Sequence, residues 1–256
     1  MGVRELANEM IRRELYSGLT VAPPFAVRLD IRNSKRLCKR HFQRQGQLSL
    51  DFHAKLVRVA RHIMREEPWL DIAYIQSDEL NLVCVDKEPP FRGRVEKIDS
   101  VLSGEASSLL TRELLADGID NVVAFDARVV KLDSMSQIKD YLAWRRADCF
   151  RNAINWYSAR LAGPKAVQGK KLSERVFIVV SHGLQIPPEI LWGTIIIRVL
   201  TRLKATNRKT GRAVTVVRSA LKSYTGNLLE RSISPERERK KRSPLLAVLT
   251  RRAKPI

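Results

Sequence analysis

The sequence predicts an α+β fold of ferredoxin-like (βαββαβ) order, with added helices and a basic C-terminal extension. Three observations carry this. An acidic break, Ser77-Asp78-Glu79, joins two short runs rich in aromatic and β-branched residues, 72–76 and 80–85, which is hairpin chemistry. Segments with apolar residues at helical spacing lie on either side of that hairpin. A strand pattern precedes the first of these segments and another follows the second, which is the order of the split βαβ unit.

Taken from the N-terminus, residues 1–18 read as an amphipathic helix with Leu6, Met10, Ile11 and Leu15 on one face. Pro23-Pro24 stops it and opens a strand over 25–29 that Asp30 ends. Ile31-Arg32-Asn33-Ser34-Lys35-Arg36 follows as a basic loop. Over 49–66, Phe52, Leu56, Val59, Ala60 and Ile63 recur at helical spacing, and Glu66-Glu67-Pro68 closes that helix. Beyond the hairpin, a basic segment with Arg92, Arg94 and Lys97 leads into a helix through Leu115, ended by Gly118. Residues 121–130 are the next strand and contain Phe125-Asp126-Ala127-Arg128.

Ser134 with Gln137 three residues on is a capping-box signature. The helix it opens runs to about Leu161. Its apolar side is Ile138, Tyr141, Leu142, Ile154 and Tyr157; Arg145, Asp148, Arg151, Asn152 and Asn155 crowd another face. Residues 172–181 read as a short helix or strand, followed by a Pro-rich turn over 183–188. Runs 195–204 and 214–218 look like hairpin strands joined by 207–211. From Arg231 the chain is charged and apolar-poor, either an RNA-docking tail or a solvated one.

Composition narrows the partner. The 256 residues carry 47 Lys and Arg against 27 Asp and Glu, a formal net charge of +20 with a pI near 10.4. Such an excess calls for a polyanion, nucleic acid before an anionic membrane surface, because each phosphate neutralised releases counterions. The three cysteines, Cys38, Cys84 and Cys149, are odd in number and widely spaced. They read as reduced thiols of a cytoplasmic protein. The four histidines show no zinc-site spacing. No apolar run approaches the ~20 residues of a membrane span, and no signal peptide is visible at the charged N-terminus.

The topology itself makes a chemical prediction. A right-handed crossover makes the first two strands parallel, so both end on one edge of the sheet. With the third strand between them, the hairpin tip returns beside the end of the first. Asp30 and Asp78 should then face each other. Two carboxylates brought together at neutral pH need a cation, and hard oxygen donors with room for phosphate point to Mg²⁺.

Four stretches now resemble a known family. They are Val27-Arg28-Leu29-Asp30 with Arg32; Ala73-Tyr74 with Gln76-Ser77-Asp78-Glu79; Phe125-Asp126-Ala127-Arg128-Val129-Val130; and Asp140-Tyr141-Leu142-Ala143-Trp144-Arg145 through Ala147-Asp148 and Asn152. In this order, over roughly residues 20–195, they resemble the tRNA-histidine guanylyltransferases and the related guanylyltransferase-like 3′–5′ polymerases. The resemblance implies a polymerase-type palm. Residues 1–195 would be the palm-type catalytic domain with its N-terminal helix, 196–230 a hairpin or helix extension, and 231–256 the basic tail.

It also implies two Mg²⁺ ions held by Asp30, Asp78 and the carbonyl of Ile31. ATP would activate the 5′ end, with GTP and other nucleoside triphosphates as substrates. Phosphoryl transfer of this kind needs positioning and charge neutralisation more than a protein nucleophile. Arg32, Asn33 and Ser77 would line the triphosphate, partly through backbone N–H groups. Arg92, Arg94 and Lys97 are either further phosphate contacts or a solvated helix start. The family is typically a homotetramer, a dimer of dimers, acting on tRNA and not at a membrane.

Two departures bear on activity. Ile31 stands where the family usually has Gly, and Ser34 where it has an aromatic; Ile cannot take positive φ without strain. In the long helix, Phe150-Arg151-Asn152-Ala153 keeps the Asn of the histidine-specific enzymes but not their His. That pattern is similar to the branch that repairs tRNA 5′ ends on a template, the leading reading. Single guanylate addition to tRNA-histidine is the runner-up. A non-catalytic tRNA-binding protein on a palm and a nucleotide cyclase are readings from other classes.

Overall fold

The computed structural model of the chain describes residues 2–42, 49–206 and 211–226. Within them, β1 (Phe25–Ile31), β2 (Ile72–Gln76), β3 (Glu79–Cys84), β4 (Phe125–Lys131), β5 (Thr194–Thr206) and β6 (Ala213–Thr225) form one sheet, in the order β4-β1-β3-β2-β5-β6. Every neighbouring pair is antiparallel. Because β1 and β2 both flank β3 antiparallel, they run parallel to each other, as a helical crossover requires. The predicted βαββαβ order is therefore present, and the sheet continues past it: β5 pairs with β2 from Ile72↔Ile197 to Ile75↔Thr194.

Strand alternation sorts the two faces. On one, Val27, Leu29, Ile31, Leu80 and Leu82 join Phe52, Leu56 and Ile63 of α3 (Leu50–Glu66) and Leu102 and Leu110 of α4 (Val95–Ala116) in the main core. On the other, Ala26, Tyr74 and Val83 pack on Ile138, Tyr141 and Leu142 of α5 (Met135–Ala162). At 28 residues, or about 42 Å, α5 outreaches the sheet. Its second half builds a separate core, Ala153, Ile154 and Tyr157 with Val179 of α7 (Leu172–Ser181) and Leu191 and Trp192 of α8 (Pro188–Trp192). A four-residue helix, α6 (Pro164–Val167), links the two. The Ser134 cap forms: Ser134 Oγ accepts from the Gln137 N–H at 3.3 Å, while Gln137 Oε1 accepts from the Asp133 N–H at 2.8 Å.

Four local expectations are corrected. The N-terminal helix, α1 (Val3–Arg13), is shorter than predicted and buries none of its residues. The stretch read as a basic loop is the end of β1 followed by α2 (Ser34–His41), because the main core takes up both Ile31 and Leu37 and Asn33 (φ 58°) turns the chain between them. β4 begins at Phe125, not at residue 121, since the Val123 N–H goes to Thr111 Oγ1 instead of to a ladder partner. Arg145, grouped with the polar face of the long helix, is buried against the sheet. The turn residues 207–210 and the chain from 227, which includes the basic tail 231–256, lie outside the described residues.

Gly193 makes the turn from α8 into β5 at φ 72°, ψ −173°, a region essentially closed to other residues. A Cβ there would lie 2.4 Å from the Ile75 carbonyl oxygen and 2.9 Å from the Tyr74 ring. Gly193→Ala should lower unfolding free energy by about 2 kcal/mol or more, read as a shift in the urea midpoint. An unchanged midpoint would mean that β5 docks without this close approach.

Candidate active site

The C-terminal end of β1, the β2–β3 turn and the start of β4 meet at one edge of the sheet, roofed by the middle of α5. Register decides what faces what. Asp30 lies opposite Glu79 on β3 and opposite Asp126 on β4. Asp78 sits one residue earlier, in the hairpin turn, where its carbonyl accepts from the Ile31 N–H at 3.3 Å. The two aspartates thus come to the same edge, but the side chain facing Asp30 across the ladder is that of Glu79. An antiparallel ladder pairs residues one for one, and the two-residue turn of Ser77 and Asp78 lies beyond its last pair, Gln76↔Glu79.

Glu79 is 5% exposed and heavily bonded. Its Oε1 accepts from Arg145 Nε at 2.8 Å, Asn81 Nδ2 at 2.8 Å and Gln76 Nε2 at 3.1 Å, and its Oε2 accepts from an Arg145 terminal nitrogen at 2.7 Å. Burial raises the carboxyl above its usual range, with Arg145 and Asn81 pulling it back. Arg145 reaches on to Asp148 Oδ2 at 3.0 Å, and Asn152 Nδ2 donates to the same oxygen at 3.5 Å. One carboxylate oxygen of Asp30 accepts from Arg28 Nε at 3.1 Å and from Arg128 at 3.2 Å. Sequence reasoning assigned no role to Arg28, Glu79, Arg128, Arg145 or Asp148. For Arg28 a signal existed, since residues two apart on a strand share a face.

Ser77 (φ 48°) and Asp78 border a cavity of about 550 Å³ beneath α5, with Ser34 and Lys35 of α2 and Asn152 on its walls and Phe42, Phe52 and Trp156 as apolar lining. Ser77, Asp78 and Asn152 are therefore brought together as predicted sites. The Arg32 N–H is committed to the Ala124 carbonyl at 2.9 Å, and the Arg32 and Asn33 side chains line a different cavity beyond α2. Arg94 and Lys97 do not converge on this edge. β3 runs away from the turn, so the segment after it, a tight turn over Pro90–Gly93 and then α4, starts at the far edge, about 20 Å off. There Arg94 pairs with Glu96, and Lys97 is exposed. Ile31 is extended in β1, and the left-handed residue is Asn33, two positions on, so Ile in place of Gly costs no backbone strain.

No cluster of three or more His, Cys, Asp or Glu side chains able to hold a metal occurs among the described residues. Mg²⁺ does not require one: it keeps several waters and binds one or two carboxylates together with substrate phosphates. Asp30 and Asp78 on adjoining strand ends, with the Ile31 backbone between them, fit a cation that arrives with a triphosphate. The three cysteines are unpaired, and burial pushes each thiol up to about 12, so all three stay protonated. No described helix is long and apolar enough to cross a membrane.

Comparison with known proteins accords with this geometry. The family model described as tRNAHis guanylyltransferase matches residues 8–133. The chain is 34% identical over 152 residues to the probable tRNA(His) guanylyltransferase of Homo sapiens, across 56% of this chain and 51% of that protein. It is 31% identical over 153 residues to the Mus musculus protein of the same name, across 57% and 51%. The chain thus spans about half the length of these curated relatives. In fold it is similar to a bacterial tRNA(His) guanylyltransferase-like protein in complex with ATP, with a TM-score of 0.67 and 17% identity over 82% of this chain and 91% of that one. The tRNA(His) guanylyltransferase of Saccharomyces cerevisiae aligns with a TM-score of 0.61 and 18% identity, over 73% and 91%. At these identities the structural likeness concerns the fold, a palm-type α+β sheet.

Two outcomes follow from the site. Arg145→Met leaves the Glu79 carboxylate buried without its cation and should cost about 3–5 kcal/mol of stability; adding Glu79→Gln should recover part of it in denaturant unfolding. A loss below 1 kcal/mol would show that α5 does not depend on this pair. His53, 4% exposed and hydrogen-bonded to Thr194 Oγ1 at 2.8 Å, is lowered by burial from 6.5 to about 4. The folded chain then binds fewer protons than the unfolded one between those values, so stability should fall as pH drops from about 6.5 toward 4, by up to about 3 kcal/mol. His53→Gln should flatten that dependence; an equal slope in both proteins would remove His53 as its source.

Proposed function

Because the chain belongs, through residues 8–133, to the tRNA-histidine guanylyltransferase family, we propose that it is an Mg²⁺-dependent nucleotidyltransferase that adds nucleotides to the 5′ end of tRNA in the 3′–5′ direction, repairing truncated ends on the opposite strand as template. The observation that carries this is the arrival of Asp30, near the end of β1, and Asp78, in the adjoining β2–β3 turn, at one sheet edge, where Asp78 lines a cavity walled also by Ser77, Lys35 and Asn152. Bound Mg²⁺ would neutralise phosphate charge and orient the attacking and leaving oxygens. Asp30 and Asp78, with the Ile31 carbonyl, would hold it. Arg28 and Arg128, which share the Asp30 carboxylate, keep that charge compensated when no cation is bound. Ser34 and Lys35 offer first-turn N–H groups of α2 to a triphosphate, together with Ser77. Phe42 and Trp156 give a base apolar surface.

ATP serves as the activating nucleotide, and GTP and the other triphosphates as those added. The repair reading over single guanylate addition is supported by Phe150. Where the histidine-specific enzymes carry His, its ring stacks on Trp192, centroids 5.0 Å apart, and belongs to the second core. The names of the relatives favour the other reading, addition of one G to tRNA-histidine. Arg94 and Lys97, at the far edge, would meet a triphosphate only in another copy of the chain, as the homotetramer implied by the resemblance would allow. Protonated, unpaired thiols suit a cytoplasmic enzyme.

The test is extension of a 5′-labelled tRNA transcript lacking its first nucleotide, with Mg²⁺, ATP and all four triphosphates. Wild-type protein should add the template-complementary base whatever the anticodon. Asp78→Ala should lose at least a hundredfold in rate while retaining RNA affinity. Addition of G alone, only with a histidine anticodon, would hand the case to single guanylate addition. Normal turnover by Asp78→Ala would sink the assignment of the metal.

A further inference from the structure

α2 stands between two cavities. Ser34, Lys35, Cys38 and Phe42 line the one that contains Ser77 and Asp78; Asn33, Arg36, Leu37 and Arg40 line the other. The second has a volume of about 420 Å³ and is bordered on its far side by residues 121–124. Three guanidinium groups border it, those of Arg32, Arg36 and Arg40, and no acidic side chain does. All three are exposed, and none has an ion-pair partner among the described residues, whereas buried Glu79 and Arg145 and half-buried Arg28 and Asp30 at the sheet edge are paired. α2 carries no Asp or Glu at all, and Lys35, Arg36, Lys39 and Arg40 make the face turned away from the core cationic.

That arrangement has an internal cost. Like charges at i, i+4, as in Arg36 and Arg40, destabilise a helix, and three arginines around one cavity repel one another. A positive cavity without a counter-charge is what anion recognition requires, and the planar fork of Arg suits phosphate oxygens. The chemistry is that of phosphate groups, and two sources could supply it: a free nucleotide or an RNA strand. The lining holds no aromatic ring to receive a base, whereas the cavity across α2 does. Arg36 and Arg40 lie one helical turn apart, about 5.4 Å, a separation comparable with that of successive backbone phosphates.

We propose that Arg32, Arg36 and Arg40 form a subsite for consecutive phosphodiesters of the RNA substrate, on the opposite side of α2 from the nucleotide cavity. This rests on the reading of the chain as an enzyme acting on tRNA. It assigns Arg32 to the RNA backbone and leaves the triphosphate to Ser34, Lys35 and Ser77. Phosphate contacts of this kind position a strand without reading its sequence. They would hold the 5′ end while bases are added across the helix.

The experiment uses the full chain and two probes: an RNA stem-loop with a 5′-monophosphate, titrated over a salt series, and ATP with Mg²⁺. Arg36→Gln/Arg40→Gln removes two exposed charges, and circular dichroism checks that α2 persists. The variant should bind the stem-loop at least tenfold more weakly. The slope of log affinity against log salt should fall by about 2, one for each phosphate that the protein no longer neutralises. ATP affinity should stay within twofold of wild type. Unchanged RNA affinity and slope would overturn the proposal, and so would a parallel loss of ATP binding, which would make the cavity part of the nucleotide site. Failure of the wild-type chain to bind the stem-loop would instead overturn the reading as a tRNA enzyme. Loss of helical signal in the variant moves the test to Arg40→Gln alone, with an expected slope change of about 1.

Discussion

The Glu79 carboxylate, buried at the end of β3, must meet a cation inside the protein, and the arrangement of the candidate active site follows from how it does so. Arg145 donates from Nε and one terminal nitrogen to Glu79 and is thereby drawn under α5 onto the sheet. An unpaired charge at that depth would cost several kcal/mol. The pair therefore sets where along β3 the long helix crosses. With α5 held at Arg145, Asp148 and Asn152 come one and two turns further on, the first bonded to Arg145 and the second facing Asp78 across the cavity. Tyr141, one turn back, donates to Asn81 and ties the polar set to the core beneath it.

Charge of opposite sign is handled differently at different depths. At the sheet edge acids and bases are matched: buried Glu79 with Arg145, and half-buried Asp30 with Arg28 and the more exposed Arg128. Lys55, at 1% exposure, meets Asp117. The cations of α2, by contrast, are exposed. No acid accompanies them on that helix. A palm that neutralises its own carboxylates in the resting state and displays unpaired cations on the adjoining helix separates two tasks. On the proposed reading, the aspartates would serve a metal and its triphosphate, and the surface arginines and lysines the polyanion.

Much of the fold was legible because it rests on periodicity. The βαββαβ order and the long capped helix follow from alternation and 3.6-residue spacing in 72–76, 80–85, 49–66 and the stretch after Ser134, patterns that burial alone imposes. The arrival of Asp30 and Asp78 at one edge follows from them through the handedness of the crossover. The cation excess and its polyanionic partner class were likewise properties of composition. Local signals failed where tertiary packing competed with them. Ile31 and Leu37 turned a run that reads as basic loop into strand and helix, because the core accepts both side chains.

What only the tertiary structure decided is which charges meet. Register, which no local pattern specifies to one residue, placed Glu79 opposite Asp30 and left Asp78 in the turn. The crossing of α5 over β3 chose Arg145 as a buried partner, although helical spacing groups it with solvent-facing residues. The direction of β3 carried Arg94 and Lys97 to the far edge. The position of α2 split one basic stretch between two cavities. Amphipathic spacing is a property of a segment read alone, so the sequence by itself determined most of the elements, their order and the sign of the chain's own net charge. A salt bridge between residues 66 apart depends on several elements docking at once, and only the assembled chain settles that.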